Sequence, residues 1–360
     1  MKIGVLKEER GGETRVAAVP ETVMKYTAWG FEVMIESNAG GAAGFEDKLY
    51  SAAGADIIIN RQNIFDNADI ILSVWGVDEQ EYSLLRAKQI LIADFESFKY
   101  PQRAEKLAKT GVVALALERM PRISRAQPAD ILSSQSNIGG YKAAMLGMNL
   151  LNRAVPLMMT AAGTVVPAKA LVLGAGVAGL QAIATLKRMG AVVYASDVRA
   201  AAREQVESLG GRFLSVDDSA DFENRTGYAA EVSAQYLAKQ KLVITEQLKQ
   251  TDILITTALS ADGKAPELIS AVMVSVMPPH AVIVDMAGGN VEAENLRADI
   301  LIVNNRNLAT LVPDTASKLF ARNMLSLLEM YGGKNFNLPP DDELLSAIAL
   351  CGYRDKENDK

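Results

Sequence analysis

The sequence predicts an α/β protein with two domains, each built on a sheet of parallel strands. The chain has 360 residues, a length typical of two domains. Apolar segments of strand length alternate with longer polar–apolar segments that end in glycine, which is typical of strands followed by helices. The candidate strands of the middle third are apolar throughout, as in parallel strands that are covered by helices on both faces.

The first third of the chain contains six candidate strands, which read KIGVL, EVMIE, DIII, DIILSVW, QILIADF and VVALAL. Between them, PETVMKYTAWG and YPQRAEKLAKTG are candidate helices. The middle third repeats this alternation from KALVLGAG to DILIVNN. After Asn304 the pattern becomes helical. We expect Asp314 or Thr315 to cap this last long helix and the Gly332–Gly333 pair to end it.

These segments predict the domain organisation. Residues 1–137 form the first domain, and a C-terminal segment, 312–350, returns to it. Residues 138–308 form the second domain. We expect long helices to join the two domains and a cleft to lie between them. The charged segment 351–360 is predicted to be a disordered tail.

Composition excludes several classes of protein. The net charge is −6 and no basic stripe is present, so nucleic acid is not an expected partner. The single cysteine excludes an intrachain disulfide and is typical of a reducing compartment. The first ten residues carry several charges, so secretion is not expected. The segment closest to a membrane span, Ala170–Leu186, has 17 residues and three glycines. A bilayer needs about 20 apolar residues, so no membrane span is predicted.

The clearest motif is G-x-G-x-x-G at Gly174, Gly176 and Gly179, between an apolar strand and a helix. In a dinucleotide-binding (Rossmann) domain these glycines allow a tight turn, close approach of the pyrophosphate, and packing of helix on strand. Asp197 ends the next strand, 18 residues after the last glycine, where a carboxylate accepts hydrogen bonds from the adenosine ribose. That carboxylate would repel a 2′-phosphate, so the motif favours NAD(H) over NADP(H). Arg199 weakens this preference.

The predicted cofactor-binding residues extend along the second domain. They are Gly174, Gly176, Val177, Ala178, Gly179, Asp197, Val198, Arg199, Thr257, Ala258 and Leu259. The last three follow a candidate strand that faces the crevice where the strand order reverses. Small residues at the end of a strand also favour close packing, and that alternative stays open.

The sequence lacks the general acid/base that most NAD-dependent dehydrogenases of small hydroxy or amino acids need. Its single histidine, His280, follows two prolines and is predicted to be a turn residue. No cluster of cysteine and histidine suggests a metal site. Hydride transfer from one nicotinamide C4 to another involves no hydroxyl or amine that must be protonated. Such a reaction needs only placement of the rings and exclusion of water.

Six segments carry a resemblance to a known family: RVAAVPETV, PRISRAQ, LSSQSN, GAGVAGLQA, GYA and TTAL. Together they resemble the NAD(H)-binding component of the proton-translocating NAD(P) transhydrogenases, from Met1 to about Gly333. The resemblance implies two Rossmann-like domains and a Re/Si-specific enzyme that is active only with a partner. NAD(H) would bind here and NADP(H) on a partner component. It also implies a homodimer and a membrane-spanning component that couples hydride transfer to proton translocation. The chain would then be cytoplasmic and peripheral to the membrane.

The resemblance also implies a role for the polar segment RISRAQPADILSSQSN. In the family this loop surrounds the nicotinamide. Arg122 would hold the carboxamide, Gln127 would bridge toward the partner's nucleotide, Asp130 would orient the arginine and the ribose, and Ser133 would join this network. The alternative is a solvated connector between a strand and a helix, in which Ser136 or Asn137 caps the helix.

Two further segments depart from the family pattern. Tyr228 matches the tyrosine of a mobile loop that closes over bound nucleotide, but the preceding residues ENRT differ from the usual pattern. The segment after VDMAGGN is shorter than is typical, which could alter contacts near the nicotinamide or the partner surface. Asn290, the last residue of VDMAGGN, would otherwise be a candidate contact.

Two alternative functions remain. The wider family includes alanine dehydrogenase, in which an arginine matching Arg15 binds the substrate carboxylate. The catalytic lysine and histidine of that enzyme would fall near SVWGV and IADFESF, where this chain has Trp75 and no histidine. Arg15 is therefore interpreted as part of a structural ion pair. The third possibility is a non-catalytic NAD(H)-sensing module.

Overall fold

A computed structural model describes residues 1–216, 234–260, 264–292 and 297–353 of the chain. It divides the chain into two compact units, Met1–Gln135 with Thr310–Lys360 and Ser136–Ala309. Each unit contains a largely parallel sheet, so the predicted α/β class is confirmed.

Fifteen strands lie in the described residues. They are β1 (Lys2–Val5), β2 (Glu32–Glu36), β3 (Asp56–Ile58), β4 (Ile70–Trp75), β5 (Ile90–Asp94), β6 (Val113–Ala116), β7 (Met158–Thr160), β8 (Gly163–Val165), β9 (Lys169–Leu173), β10 (Val192–Ser196), β11 (Arg212–Phe213), β12 (Ile253–Thr256), β13 (Val282–Asp285), β14 (Leu301–Asn304) and β15 (Ala349–Cys351).

Eleven α-helices lie in the same described ranges. They are α1 (Pro20–Ala28), α2 (Asp47–Ala52), α3 (Arg61–Asn67), α4 (Gln102–Ala108), α5 (Ile131–Leu150), α6 (Val177–Arg188), α7 (Ala201–Ser208), α8 (Ala234–Leu248), α9 (Ala271–Ser275), α10 (Pro313–Met330) and α11 (Glu343–Ile348). None of these helices combines the length and the apolar character that crossing a bilayer demands.

The sheet of the first unit has the order β15-β6-β5-β4-β1-β2-β3. The chain runs outward from β1 to β3 and then returns to β4 on the other side of β1, so the strand order reverses between β1 and β4. Buried side chains cover both faces of this sheet: Ile3 belongs to the core that includes Phe320 and Met324 of α10, and Ile71 belongs to the core that includes Phe65 of α3. The returning helix α10 is therefore part of the first unit.

The predicted tail from residue 351 is wrong at its start. Strand β15 pairs antiparallel with β6, with Cys351 opposite Ala114, and its backbone covers what would otherwise be an open sheet edge. Residues 354–360 lie outside the described residues.

Helix α10 also begins differently from the prediction. It starts at Pro313, a residue whose fixed φ and missing N–H suit the first helical position, and no side chain in the described ranges hydrogen-bonds as its cap. Asp314 instead forms an ion pair with Lys318, one turn further along, at 2.7 Å. The predicted end is confirmed, because Gly332 follows the helix with φ of 102°.

The sheet of the second unit has the order β11-β10-β9-β12-β13-β14, with all neighbours parallel. Numbered along the unit, this is the 3-2-1-4-5-6 order of the doubly wound dinucleotide-binding fold. The reversal lies between β9 and β12. Ligands of such sheets bind in the crevice at the carboxyl ends of these two strands.

Candidate functional site

The glycine motif forms the turn between β9 and α6. Gly174 has φ of +90°, and a Cβ on it would lie 2.6 Å from the hydroxyl of Thr257. A Cβ on Gly179 would lie 1.8 Å from the carbonyl oxygen of Gly174. Both positions therefore require glycine for steric reasons. A Cβ on Gly176 would meet only the guanidinium of Arg199 among the described residues, at 3.9 Å. The second glycine thus leaves room on the side from which a pyrophosphate would approach.

Helix α6 begins directly after this turn with its first backbone N–H groups available. Its N-cap is Gly176, and no side chain within the described ranges caps it. Val177 is 41 % exposed at the first helical position. An uncapped helix start with free N–H groups and a positive dipole end is a suitable site for a phosphate. The residues present therefore fit the pyrophosphate of a dinucleotide.

Asp197 lies beside this turn, at the end of β10, and accepts four hydrogen bonds from the protein. Its carboxylate accepts from the backbone N–H groups of Ala175 at 2.7 Å and Arg199 at 2.9 Å. The Nε and Nη2 atoms of Arg199 also donate to it, both at 2.9 Å. Burial alone would raise the pKa of Asp197, but the hydrogen bonds and charge of Arg199 outweigh burial and hold that pKa below its usual range.

The predicted acid is thus present and ionised, but its acceptor capacity is occupied. A carboxylate has about four lone-pair sites, and protein donors fill all four. A ribose hydroxyl can bind Asp197 only if the side chain of Arg199 releases part of its bidentate contact. Both residues were identified from the motif, whereas their mutual pairing became visible only in the structure.

The end of β12 supports the glycine turn. The hydroxyl of Thr257 donates to the carbonyl oxygen of Gly174 at 2.9 Å. The backbone N–H of Ala258 donates to Asn290 Oδ1 at 3.0 Å. Leu259 is 45 % exposed. The predicted residues therefore do lie at the carboxyl end of the strand beside β9, and Thr257 holds the turn through its hydroxyl.

Asn290 is fully buried, and its side chain is bound within the second unit. Its Nδ2 donates to the carbonyl oxygens of Ala258 at 2.9 Å and Pro266 at 2.7 Å. The carboxylate of Asp285, also fully buried, accepts from the backbone N–H groups of residues 287–290. This role of Asp285 was not expected from the sequence; the pattern that indicates such a turn is an acid at a strand end with Gly-Gly-Asn three to five residues later.

The polar segment RISRAQPADILSSQSN is helical over its second half, because α5 begins at Ile131. Asp130 precedes the helix and accepts from the backbone N–H of Ser133 at 3.1 Å. The predicted caps Ser136 and Asn137 are therefore wrong, since an aspartate at the position before the first turn already satisfies the helix start.

The same cap brings two predicted site residues together. The hydroxyl of Ser133 donates to Asp130 Oδ2 at 2.6 Å, so both carboxylate oxygens of Asp130 are fixed by one residue. Gln127 begins a short 3₁₀ turn, Gln127–Ala129, and its side chain is exposed. Arg122 is exposed as well. The predicted site residue Tyr228 lies outside the described residues.

Arg15 forms the structural ion pair that the sequence predicted. Its Nε and Nη2 donate to the two carboxylate oxygens of Glu13 at 2.8 and 2.7 Å, and its Nη1 donates to Gln135 Oε1 at 2.9 Å. The indole N–H of Trp75 donates to Glu13 at 2.6 Å. Burial would raise the pKa of Glu13, but the hydrogen bonds and charge of Arg15 hold it below its usual range. Gln135 and Trp75 lie many tens of residues from this pair in the sequence, and no local pattern connects them to it.

A polar cavity of about 260 Å³ lies at the carboxyl ends of β1 and β4, where the strand order of the first sheet reverses. Arg10 and Trp75 line it and stack with 4.1 Å between guanidinium and ring centre. Glu8 also lines it, and burial raises the pKa of the Glu8 carboxyl to about 8.

His280 belongs to the second unit. It is exposed at a turn with φ of 61°, as its position after two prolines indicated.

Comparisons with known proteins agree with this geometry. Residues 4–139 match the N-terminal domain model of the alanine dehydrogenase/PNT family, and residues 143–353 match its C-terminal domain model. An NAD(P) transhydrogenase subunit alpha protein of Rhodospirillum rubrum is 45 % identical over 375 residues, which cover 99 % of this chain and 97 % of that protein.

Two solved structures extend the comparison. The crystal structure of transhydrogenase from Sinorhizobium meliloti has a TM-score of 0.88 at 39 % identity and covers 98 % of each chain. An L-alanine dehydrogenase structure has a TM-score of 0.78 at 25 % identity and covers 97 % of this chain and 94 % of that chain. The chain therefore belongs to the alanine dehydrogenase/PNT family and, within it, to the NAD(P) transhydrogenase alpha subunits.

Proposed function

We propose that this chain binds NAD(H) and exchanges a hydride directly with NADP(H) held by a partner component, as part of a Re/Si-specific, proton-translocating transhydrogenase. Membership of the family supports an oxidoreductase role with a nicotinamide nucleotide and with partner subunits. The observation that carries the proposal is the glycine turn at the reversal of the second sheet, with the uncapped start of α6 above Gly176 and the ionised Asp197 beside it.

Bound NAD(H) would supply a hydride donor or acceptor at C4 of its nicotinamide ring. The chain's own residues then have no proton to move, since neither ring carries a hydroxyl or amine that changes protonation. The N–H groups at the start of α6 would bind the pyrophosphate. Asp197 would bind the adenosine ribose once the side chain of Arg199 releases one of its two hydrogen bonds to the carboxylate.

The residues of the polar segment are proposed to act on the nicotinamide end of the nucleotide. Asp130, fixed by Ser133, would orient the side chain of Arg122 toward the carboxamide. Gln127 is exposed and can therefore reach a nucleotide on a partner. None of these groups is needed as an acid or base; their contribution is placement, which alone can supply several kcal/mol of rate acceleration.

A transfer assay tests this function. The purified chain is mixed with its NADP(H)-binding component, and reduction of an NAD analogue by NADPH is followed. We expect Gln127→Asn to slow transfer while NADH affinity stays nearly unchanged, because the shorter amide keeps its chemistry but loses its reach. Collapse of affinity with an unchanged transfer rate would show that Gln127 binds the nucleotide instead. Absence of transfer in the unaltered pair would support a non-catalytic NAD(H)-binding module.

An alanine dehydrogenase is the second candidate, because the L-alanine dehydrogenase structure shares the fold. The geometry opposes it: Arg15, which would have to bind a substrate carboxylate, is buried and bound to both oxygens of Glu13. Trp75 stands where that enzyme's catalytic lysine is expected. NADH oxidation with pyruvate and ammonia, in the absence of any partner, would favour this candidate.

The homodimer is also a proposal, supported by one exposed element. Strands β7 and β8 form an antiparallel hairpin in the second unit. Apolar side chains on and beside it are exposed: Leu157 by 57 %, Met159 by 79 % and Val166 by 61 %. Such a patch is typical of a protein interface. Light scattering of Met159→Asp should give a lower mass than the parent chain if the hairpin forms the dimer contact.

A further inference from the structure

Asn323 lies on α10, a helix in the C-terminal part of the chain that belongs to the first unit. Its side chain is buried, with 7 % exposure. Its Nδ2 donates to the carbonyl oxygen of Pro128 at 2.7 Å. Its Oδ1 accepts from the hydroxyl of Ser134 at 2.6 Å. One buried amide therefore joins the 3₁₀ turn to the first turn of α5.

The contact with Pro128 matters because Pro128 lies between two of the proposed site residues. Pro128 directly follows Gln127 and precedes Asp130 by two residues. Proline has no backbone N–H, so the carbonyl is the one backbone polar group through which this residue can be held. We expect a displacement of Pro128 to shift Gln127 and Asp130, because they are its neighbours in the chain.

A second contact holds the same start of α5 against α10. Gln135 Nε2 donates to the carbonyl oxygen of Ala316 at 3.2 Å, while its Oε1 accepts from Arg15. Ala316 and Asn323 are seven residues apart, two turns of one helix face. The start of α5 is thus held against α10 by two contacts, and of these two the contact at Asn323 also reaches Pro128 in the residues that precede the helix.

We propose that Asn323 is a positioning residue that fixes Gln127 and Asp130 in the geometry that hydride transfer requires. This inference rests on the proposed function of the polar segment. Asn323 contributes through Pro128 and Ser134 to the rate of transfer, and it leaves the affinity for NADH unchanged, since the glycine turn that binds the pyrophosphate belongs to the other unit.

The test compares Asn323→Ala with Asn323→Asp and with a matched control, Ser317→Ala. Ser317 lies on the same helix, is fully buried, and accepts a hydrogen bond from the backbone N–H of Val16 at 3.1 Å, which is not a contact with residues 122–130. The aspartate variant keeps the acceptor for Ser134 but loses the donor to Pro128. It keeps the volume of the side chain but places a carboxylate beside the Pro128 carbonyl, so a urea melt of each variant first shows that it is folded.

Three quantities are measured for each variant: NADH affinity, single-turnover transfer with the NADP(H)-binding component, and the rate of trypsin cleavage after the exposed Arg122 and Arg125. We expect transfer to fall by about 10- to 100-fold in both Asn323 variants, the range that a misplacement of about 1 Å produces. NADH affinity should stay within about twofold, cleavage should accelerate, and the control should match the parent chain in all three.

Cleavage and transfer that remain at control levels in both variants would overturn the inference, as would transfer that declines only in step with NADH affinity. The cleavage assay needs no partner and no nucleotide. If the unaltered chain shows no transfer at all, the proposed function fails, while the cleavage rates still show whether Asn323 holds the segment.

Discussion

Replacement of Gly140 by alanine should weaken nucleotide binding although Gly140 is not part of the glycine motif. Gly140 lies inside α5, and a Cβ there would stand 2.0 Å from the carbonyl oxygen of Ala178 in the first turn of α6. A carbon and a carbonyl oxygen approach to about 3.3 Å, so the two backbones must separate by more than about 1 Å. The neighbouring Gly139 provides a control, since its Cβ would meet only the flexible end of Met286 at 3.0 Å.

The magnitude follows from two opposing effects. Overpacking against backbone costs about 1–3 kcal/mol, and a glycine-to-alanine change inside a helix gains up to about 1 kcal/mol. Gly140→Ala should therefore lower the free energy of unfolding by about 1–2 kcal/mol, whereas Gly139→Ala should leave it unchanged or raise it slightly. Because Ala178 belongs to the predicted phosphate-binding turn, a distortion of about 1 kcal/mol there should weaken NADH binding by about fivefold.

Urea unfolding and fluorescence titration with NADH measure both effects in the same two variants. The reasoning is refuted if Gly140→Ala is as stable as Gly139→Ala and binds NADH equally well. Loss of stability without loss of affinity would show that the contact with Ala178 supports the fold but does not set the shape of the turn.

Three further changes have defined outcomes. Burial raises the pKa of Glu8 to about 8 in the folded chain, whereas the unfolded chain loses this proton above about pH 4.5. The free energy of unfolding should therefore decrease as pH rises from 4.5 to 8, and it should level off above pH 8. Thermal melts across this range should show a flatter dependence for Glu8→Gln. Asp130→Ala should lower the free energy of unfolding by about 1 kcal/mol through loss of the helix cap. Asp130→Asn, whose amide oxygen can still cap the helix, should restore stability but not the rate of hydride transfer in the single-turnover assay. Arg199→Ala should release the Asp197 carboxylate and raise the ratio of NADH to NADPH affinity in parallel titrations. An unchanged ratio would mean that this pairing does not influence nucleotide choice.

Much of the fold could be predicted from local patterns in the sequence. Apolar runs that alternate with glycine-terminated segments were sufficient to predict both parallel sheets. A strand that is covered on both faces has apolar residues throughout, so its sequence is easy to recognise. The glycine motif was equally local, because its steric demands arise within a few residues of the β9–α6 turn. Asp130 shows the limit of this approach: the serines after it suggested a loop, but an aspartate cap and packing against α10 make them helical.

Contacts between distant segments could not be predicted. Gln135 and Trp75 meet the Arg15–Glu13 pair across many tens of residues, and Asn323 reaches Pro128 from the far end of the chain. No periodicity or spacing connects such positions. The burial of Asn290 and the occupancy of the Asp197 carboxylate are likewise properties of the folded chain.

Isotope transfer is the most direct test of a hydride passed from ring to ring. NADPH carrying deuterium at the transferred C4 position is mixed in ordinary water with the chain, its NADP(H)-binding component and an oxidised NAD analogue. If no acid or base of the chain takes part, the deuterium should be found undiluted at C4 of the reduced analogue by mass spectrometry. Deuterium lost to water, or reduction that requires added pyruvate or alanine, would contradict direct transfer.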